Sequence, residues 1–284
     1  MTSAAHFASR LFNKPSALLP AASSLAMDLL TRTAGGVQAA AFGVDEAATD
    51  GDDRYRPYDV VAGVAVIPVR GVLFQRLPGW LWYYGDMLGI SGYDRIRMQF
   101  MSALADPKVD AIAFDHDSPG GEVAGCFDLA DTIYTARGIK PIWAILGENA
   151  YSAAYALASA ADHITVPRTG GTGSVGVIYM HLSIADWLAQ TGIKPTLVTK
   201  GDLKGEGSEF FDLSEDAFKR LKADVLEVGS LFDATVARNR GMAKKDVTAT
   251  QAGTFLGGQG VDIGFADAVM APDAAFRALL KQLD

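Results

Sequence analysis

Ser152 lies in "ENAYSAAYALASAAD", between an apolar run and an alanine-rich stretch, where a strand should give way to a helix. A hydroxyl there can cap the helix. It can also act as a nucleophile, its developing negative charge held by the Ala153 N–H. "DSPGGE" offers a second group: Gly120 and Gly121 follow a proline and expose consecutive backbone N–H donors suited to an oxyanion. If these glycines open a helix near Glu122, its dipole adds to that field. A plain Pro-Gly turn is the simpler alternative.

A nucleophilic serine needs a base. His116, His163 and His181 are the histidines of the core region, and none has a spacing that compels a Ser-His-Asp arrangement. Lysine can serve once burial lowers its affinity for the proton. Lys204 is followed closely by glycines and then by "FF", while Lys200 is a rival four positions earlier. Both sit in "TKGDLKGEGSEF", where a solvated loop lysine is the ordinary expectation.

The elements that must position these groups follow from the periodicity. The chain has 284 residues, 49% hydrophobic and 20% charged, enough for one large domain or two small ones. A net charge of −8 argues against a broadly basic nucleic-acid surface. Cys126 is the single cysteine, which excludes an intramolecular disulfide, and the four histidines lack metal-site spacing, so neither metal nor cofactor is expected. No apolar run is long enough to span a bilayer, and the N-terminal region lacks the pattern of a secretory signal.

Residues 1–57 read as an N-terminal arm, with one or two short helices and a polar linker, preceding a domain over 58–284. From Val60 onward, strands alternate with helices. "VVAGVAVIPVRGVL" reads as a buried strand or hairpin, "WLWYYGDMLGISG" as a loop, and Ile96, Phe100, Met101 and Leu104 as one face of a helix closed by Pro107. "VDAIAF", "PIWAIL", "HITV", "SVGVIYM" and "KPTLVT" read as strands. A helix over Val123–Tyr134 has Arg137 in its last turn and Gly138 as cap, and Ser214 caps a long helix. The alternation implies an α/β fold with mostly parallel strands and ligand groups at strand carboxyl ends.

Four blocks in order resemble the signal-peptide-peptidase-A family of serine peptidases: "SPGG", "AYSAAYALASAAD", "TGSVGVI" and "VDIGFADAV". The resemblance covers roughly residues 60–270. It implies a Clp-protease/crotonase-like fold of repeated β-β-α units, with a mostly parallel sheet and flanking helices. It also implies a Ser/Lys dyad of Ser152 and Lys204, an oxyanion site of Gly120, Gly121 and Ala153, and Ser174 orienting the lysine. Ala153 and Ala154 stand where the signal-peptide enzymes usually carry glycines.

The opening "HFASRLFNKPSALLP" with its polar linker looks like the head-maturation proteases of tailed phages. That branch implies a polypeptide substrate among scaffold and capsid proteins, a place in the host cytoplasm or procapsid, self-association, no nucleic-acid partner and no cofactor. The alternatives are a membrane-associated type of signal peptide peptidase, a Clp-like peptidase pairing Ser152 with His181, a crotonase-like acyl-CoA enzyme, and a structural head protein with a vestigial site.

Overall fold

The computed structural model describes residues 15–18, 56–78, 81 and 85–283. The helices expected in the arm lie outside these residues. The strands are β1 (Pro15–Leu18), β2 (Asp59–Val61), β3 (Val64–Arg70), β4 (Val72–Phe74), β5 (Ile90–Gly92), β6 (Ala111–Ser118), β7 (Gly120–Glu122), β8 (Ile142–Tyr151), β9 (His163–Val166), β10 (Gly171–Gly173), β11 (Ile178–Tyr179), β12 (Thr254–Leu256) and β13 (Ala268–Val269). The helices are α1 (Gly85–Leu88), α2 (Tyr93–Ala105), α3 (Cys126–Thr135), α4 (Ala153–Ser159), α5 (Ala185–Gln190), α6 (Glu215–Arg240), α7 (Lys244–Ala249), α8 (Gly257–Asp262) and α9 (Pro272–Leu283).

Two sheets form. The larger runs β12-β10-β8-β6-β3-β2, with β9 beside β8 and β13 beside β9. Its β3, β6, β8, β9 and β10 pair in parallel, as strands buried on both faces do. The smaller runs β11-β1-β7-β4-β5. The chain passes from β3 to β4, and again from β6 to β7, before entering a helix. These are the expected β-β-α units of a mixed α/β fold with mostly parallel strands. Strand β8 serves two neighbours in turn: Trp143–Ile145 pair with β9, and Asn149–Tyr151 pair with β10. That fork opens the carboxyl end of β8, where Ser152 follows.

Helix α4 occupies the centre of the main core, and all seven of its residues are buried. Five of its neighbours and members are alanines (Ala153, Ala154, Ala156, Ala158, Ala160), which lets α3 and α6 approach closely. Tyr155 is the large exception; it stacks on Phe265 at 4.8 Å and donates its hydroxyl to the Phe265 carbonyl at 2.9 Å. On the opposite face of the larger sheet, Ala275 and Leu279 of α9 pack on Val64, Ala111, Ala113 and Trp143.

Several sequence expectations need correction. Gly120–Glu122 do not open a helix; they form β7, and α3 begins at Cys126 behind the left-handed Gly125. Its dipole therefore does not point from the Gly-Gly turn. Arg137 lies beyond α3 and instead reaches the other helix: its guanidinium donates to the carbonyls of Ser159, Ala160 and Ala161 at the C-terminus of α4, at 2.6–2.9 Å. "KPTLVT" forms no strand, for no strand among the described residues lies beside it to pair with. Of "SVGVIYM" only Ile178–Tyr179 pair, and "WLWYYGDMLGISG" contributes α1 and β5. Ser214 caps α6 as expected, its Oγ accepting from the Ala217 N–H at 3.1 Å.

His116 on β6 is fully buried, and neither ring nitrogen has a hydrogen-bond partner among the described residues. Burial holds its pKa down at about 3, so the ring is neutral across the physiological range. The unfolded chain protonates this ring near its ordinary value, so acidification below about pH 6.5 favours unfolding, by up to about 1.4 kcal/mol per pH unit until the folded value is reached. Denaturant titrations between pH 7 and pH 4 are expected to show falling stability, with a shallower pH dependence in His116→Leu.

Candidate active site

Ser152 has φ 53° and ψ −121°, a conformation that residues with a Cβ rarely adopt. The local structure enforces it. Upstream, the Ser152 N–H donates to the Gly173 carbonyl at 2.8 Å, extending the β8–β10 ladder by one step. Downstream, the Ser152 carbonyl accepts from the Ala156 N–H at 2.9 Å, the first bond of α4. A strand and a helix thus meet at one residue, and the sharp reversal projects the side chain at their junction. The Ser152 Oγ lies 3.4 Å from the Gly176 carbonyl, its hydrogen-bond acceptor.

Gly120 stands against this junction. A Cβ on Gly120 would come within 3.0 Å of the Ser152 Cβ and 3.1 Å of the Ala153 nitrogen, and it would collide with the Ala17 carbonyl oxygen. Only glycine fits, and φ 102° suits glycine as well. The Gly120 N–H donates to Ser118 Oγ at 3.1 Å, and Ser118 in turn donates to the Gly71 carbonyl at 2.7 Å. Gly121 is pressed against the backbone of Leu73 in β4, so a side chain is excluded there too. The Ala153 N–H opens α4, where the first-turn donors have no partner within the helix.

The "TGSVG" block wraps the other side. Ser174, also at positive φ (54°) and buried, anchors its N–H to the Gly253 carbonyl at 2.7 Å. Ser174 follows directly on Gly173, the acceptor of the Ser152 N–H. The structure therefore brings Ser152, Ala153, Gly120, Gly121 and Ser174 together from three separate stretches of sequence.

Lys204 is placed differently. It is exposed, in the run of turns at 201–207, and among the described residues no hydrogen bond or ion pair engages its amine. Lys200 is equally exposed. The turns are tied to the stretch following β11: Tyr179 Oη borders Gly207, His181 Nε2 lies 3.3 Å from the Ser208 carbonyl, and the Ile184 N–H donates to the Glu209 carbonyl at 2.8 Å. His181 is thus engaged with that loop. The buried thiol of Cys126, its pKa pushed up to about 12, contacts the Ala153 carbonyl at 3.6 Å.

Three contributors carry no local signal in the sequence. The Ser118 hydroxyl, within what looks like a plain turn, fixes Gly120. Arg137 and Asp267 hold the far end of the site's scaffold. Asp267 accepts from the Ile164 N–H at 2.7 Å and pairs with Arg240 at 2.6 Å, so "GFADAV" carries a structural role. Among the described residues there is no cluster of metal-ligating side chains and no helix long and apolar enough to cross a membrane.

The backbone at Ser152 yields a measurable consequence. Strain of this kind costs on the order of 1–3 kcal/mol, and glycine relieves it. Ser152→Gly is expected to unfold at a higher denaturant concentration than Ser152→Ala, although both lack the hydroxyl. Equal midpoints would mean that the site stores no strain.

The profile of peptidase family S49 matches residues 135–284. The chain is 35% identical over 292 aligned positions to the head-tail preconnector protein GP5 of Enterobacteria phage P21, covering 98% of this chain and 58% of that protein. It is 34% identical to the capsid assembly protease C of Escherichia phage lambda, over 98% of this chain and 66% of that protein. A putative signal peptide peptidase SppA of Enterococcus faecium is 26% identical over 65% of this chain and 54% of its own length. The chain thus spans roughly three fifths to two thirds of the length of the two phage relatives. On the family profile and the relatives together, this chain is a member of peptidase family S49.

Proposed function

We propose that the chain is a serine endopeptidase that processes scaffold or head proteins during assembly of a phage capsid. The observation that carries this reading is Ser152: a buried hydroxyl on a strained strand-to-helix junction, against a glycine that leaves no room for a side chain. Storing strain at a serine has no packing benefit, since glycine or alanine would fill the same space. The family membership and the phage relatives support the same reading, and the name of the lambda relative points to capsid assembly.

In this reading Ser152 Oγ attacks the scissile carbonyl. The N–H groups of Gly121 and Ala153 receive the oxyanion, while Gly120, whose N–H is engaged by Ser118, provides the space for it. Lys204 accepts the Ser152 proton and returns it to the departing amine, and water then releases the acyl group by the reverse sequence. Ser174 orients the lysine amine.

An amine works as a base only after dehydration, and Lys204 lies exposed in the protomer. The surrounding face is apolar and equally uncovered: Leu197, Val198, Leu203, Phe210 and, on α6, Phe218 and Leu226 are exposed. Val198 is 90% exposed. A second copy covering this face would give "KPTLVT" a pairing partner, dehydrate Lys204 and bring it to Ser152. The domain would then be 58–284, with the arm 1–57 as a separate functional segment.

Labelling with a fluorophosphonate probe followed by peptide mapping tests the assignment. The probe is expected to modify wild-type protein at Ser152 and to fail with Lys204→Met, while His181→Ala and Lys200→Met retain labelling. A wild-type-like rate in Lys204→Met with loss in His181→Ala would assign the base to histidine. Removal of a catalytic group of this class costs at least about 10²–10⁴ in rate.

A further inference from the structure

The smaller sheet contains a segment that does not belong to the β-β-α series. Strand β1, from the N-terminal arm, lies between β7 and β11 and pairs antiparallel with both: Ser16 opposite Glu122, Ala17 opposite Gly121 and Leu18 opposite Gly120 on one side, Pro15 opposite Tyr179 and Ser16 opposite Ile178 on the other. Among the described residues β7 and β11 meet only through β1. Without β1 they would frame a slot bordered on both sides by unpaired backbone. Such a slot receives extended peptide by strand addition.

The seat is restrictive. Ser16 is 4% exposed and Ala17 is fully buried, and successive residues of a strand point to opposite faces, so both faces are closed around small side chains. The direction of β1 carries its peptide bonds toward Ser152. It enters beside Glu122 and leaves beside Gly120, the residue packed on Ser152. A Cβ added to Gly120 would collide with the Ala17 carbonyl oxygen and would lie 3.0 Å from Ser152 Cβ and 3.1 Å from the Ala153 nitrogen. The Ala17 carbonyl, Ser152 and the Ala153 N–H thus converge on one face of Gly120. In this arrangement, with β1 in the sheet, Ser152 is only 1% exposed.

We propose that β1 is a substrate of this same site: the chain seats its own N-terminal arm in the peptide slot, occludes Ser152, and cuts itself between Ala17 and Leu18. The inference rests on Ser152 being the nucleophile. In the step, the Ser152 Oγ–Ala17 carbonyl carbon bond forms and the Ala17–Leu18 C–N bond breaks. The Ser152 proton passes through the base to the Leu18 nitrogen, which leaves as a free amine. Water then cleaves the ester, restoring Ser152 and leaving Ala17 with a carboxylate.

Intact mass and N-terminal sequencing of the full chain over time, combined with the fluorophosphonate probe, test this. Wild-type protein is expected to give a product beginning at Leu18, and Ser152→Ala to stay whole. Ala17→Asp places a charge in a buried seat; it is expected to abolish the cut and to raise the rate of Ser152 labelling severalfold as β1 vacates the slot. Labelling of wild-type Ser152 with the arm intact, or cut elsewhere, overturns the self-cleavage while leaving the nucleophile standing. Slower labelling in Ala17→Asp overturns the occlusion by β1. Absence of both labelling and cleavage in wild-type protein removes the nucleophile and this inference together.

Discussion

The backbone reversal at Ser152 is the constraint on which the site depends. One residue must end the β8–β10 ladder and begin α4, and its N–H and carbonyl are both committed, to Gly173 and to Ala156. The cost of the resulting φ is met by the environment of α4. That helix is buried on all sides, clasped at its C-terminus by the Arg137 guanidinium and pinned along its length by Tyr155 against Phe265. Freedom for Ser152 to relax would require α4 to shift, and a close-packed interior does not allow small shifts cheaply.

Around this fixed point the molecule divides into a rigid and an unfinished half. The rigid half supplies Ser152, Ala153, Gly120, Gly121 and Ser174 from tightly paired strands and a buried helix. The unfinished half, from about Ile184 to Leu226, presents Lys204 amid exposed apolar side chains. A base that becomes competent only when that face is covered would keep hydrolysis silent in isolated copies. Strand β1, seated as proposed beside Ser152, would add a second restraint. Both fit the proposed role of a protease that acts during particle assembly.

Much of this was legible in the residues. Ser152 followed by a small-residue helix, the Ser214 cap and the buried run of β6 each carry a strong local signal, either spacing or a side chain with one dominant use. What escaped was non-local. The Gly-Gly segment is three residues long, too short to show a period of two, so a turn opening a helix and a strand look alike. "KPTLVT" has strand-forming residues, yet strands exist only in pairs and none of the described residues pairs with it. The role of Arg137 depends on a helix 15 or more residues away. Strand β1 was invisible because Pro-Ser-Ala-Leu has neither alternation nor β-branched residues; its pairing comes from the two edges that receive it.

A crystal structure of the assembled protein carrying a peptide boronate tests the central claim most directly. The account predicts boron bonded to Ser152 Oγ, one boronate oxygen within hydrogen-bonding distance of the Gly121 and Ala153 nitrogens, and the Lys204 amine beside Oγ with its peptide strand between β7 and β11. A boronate attached elsewhere, or bound at Ser152 with those two nitrogens directed away from it, would contradict it.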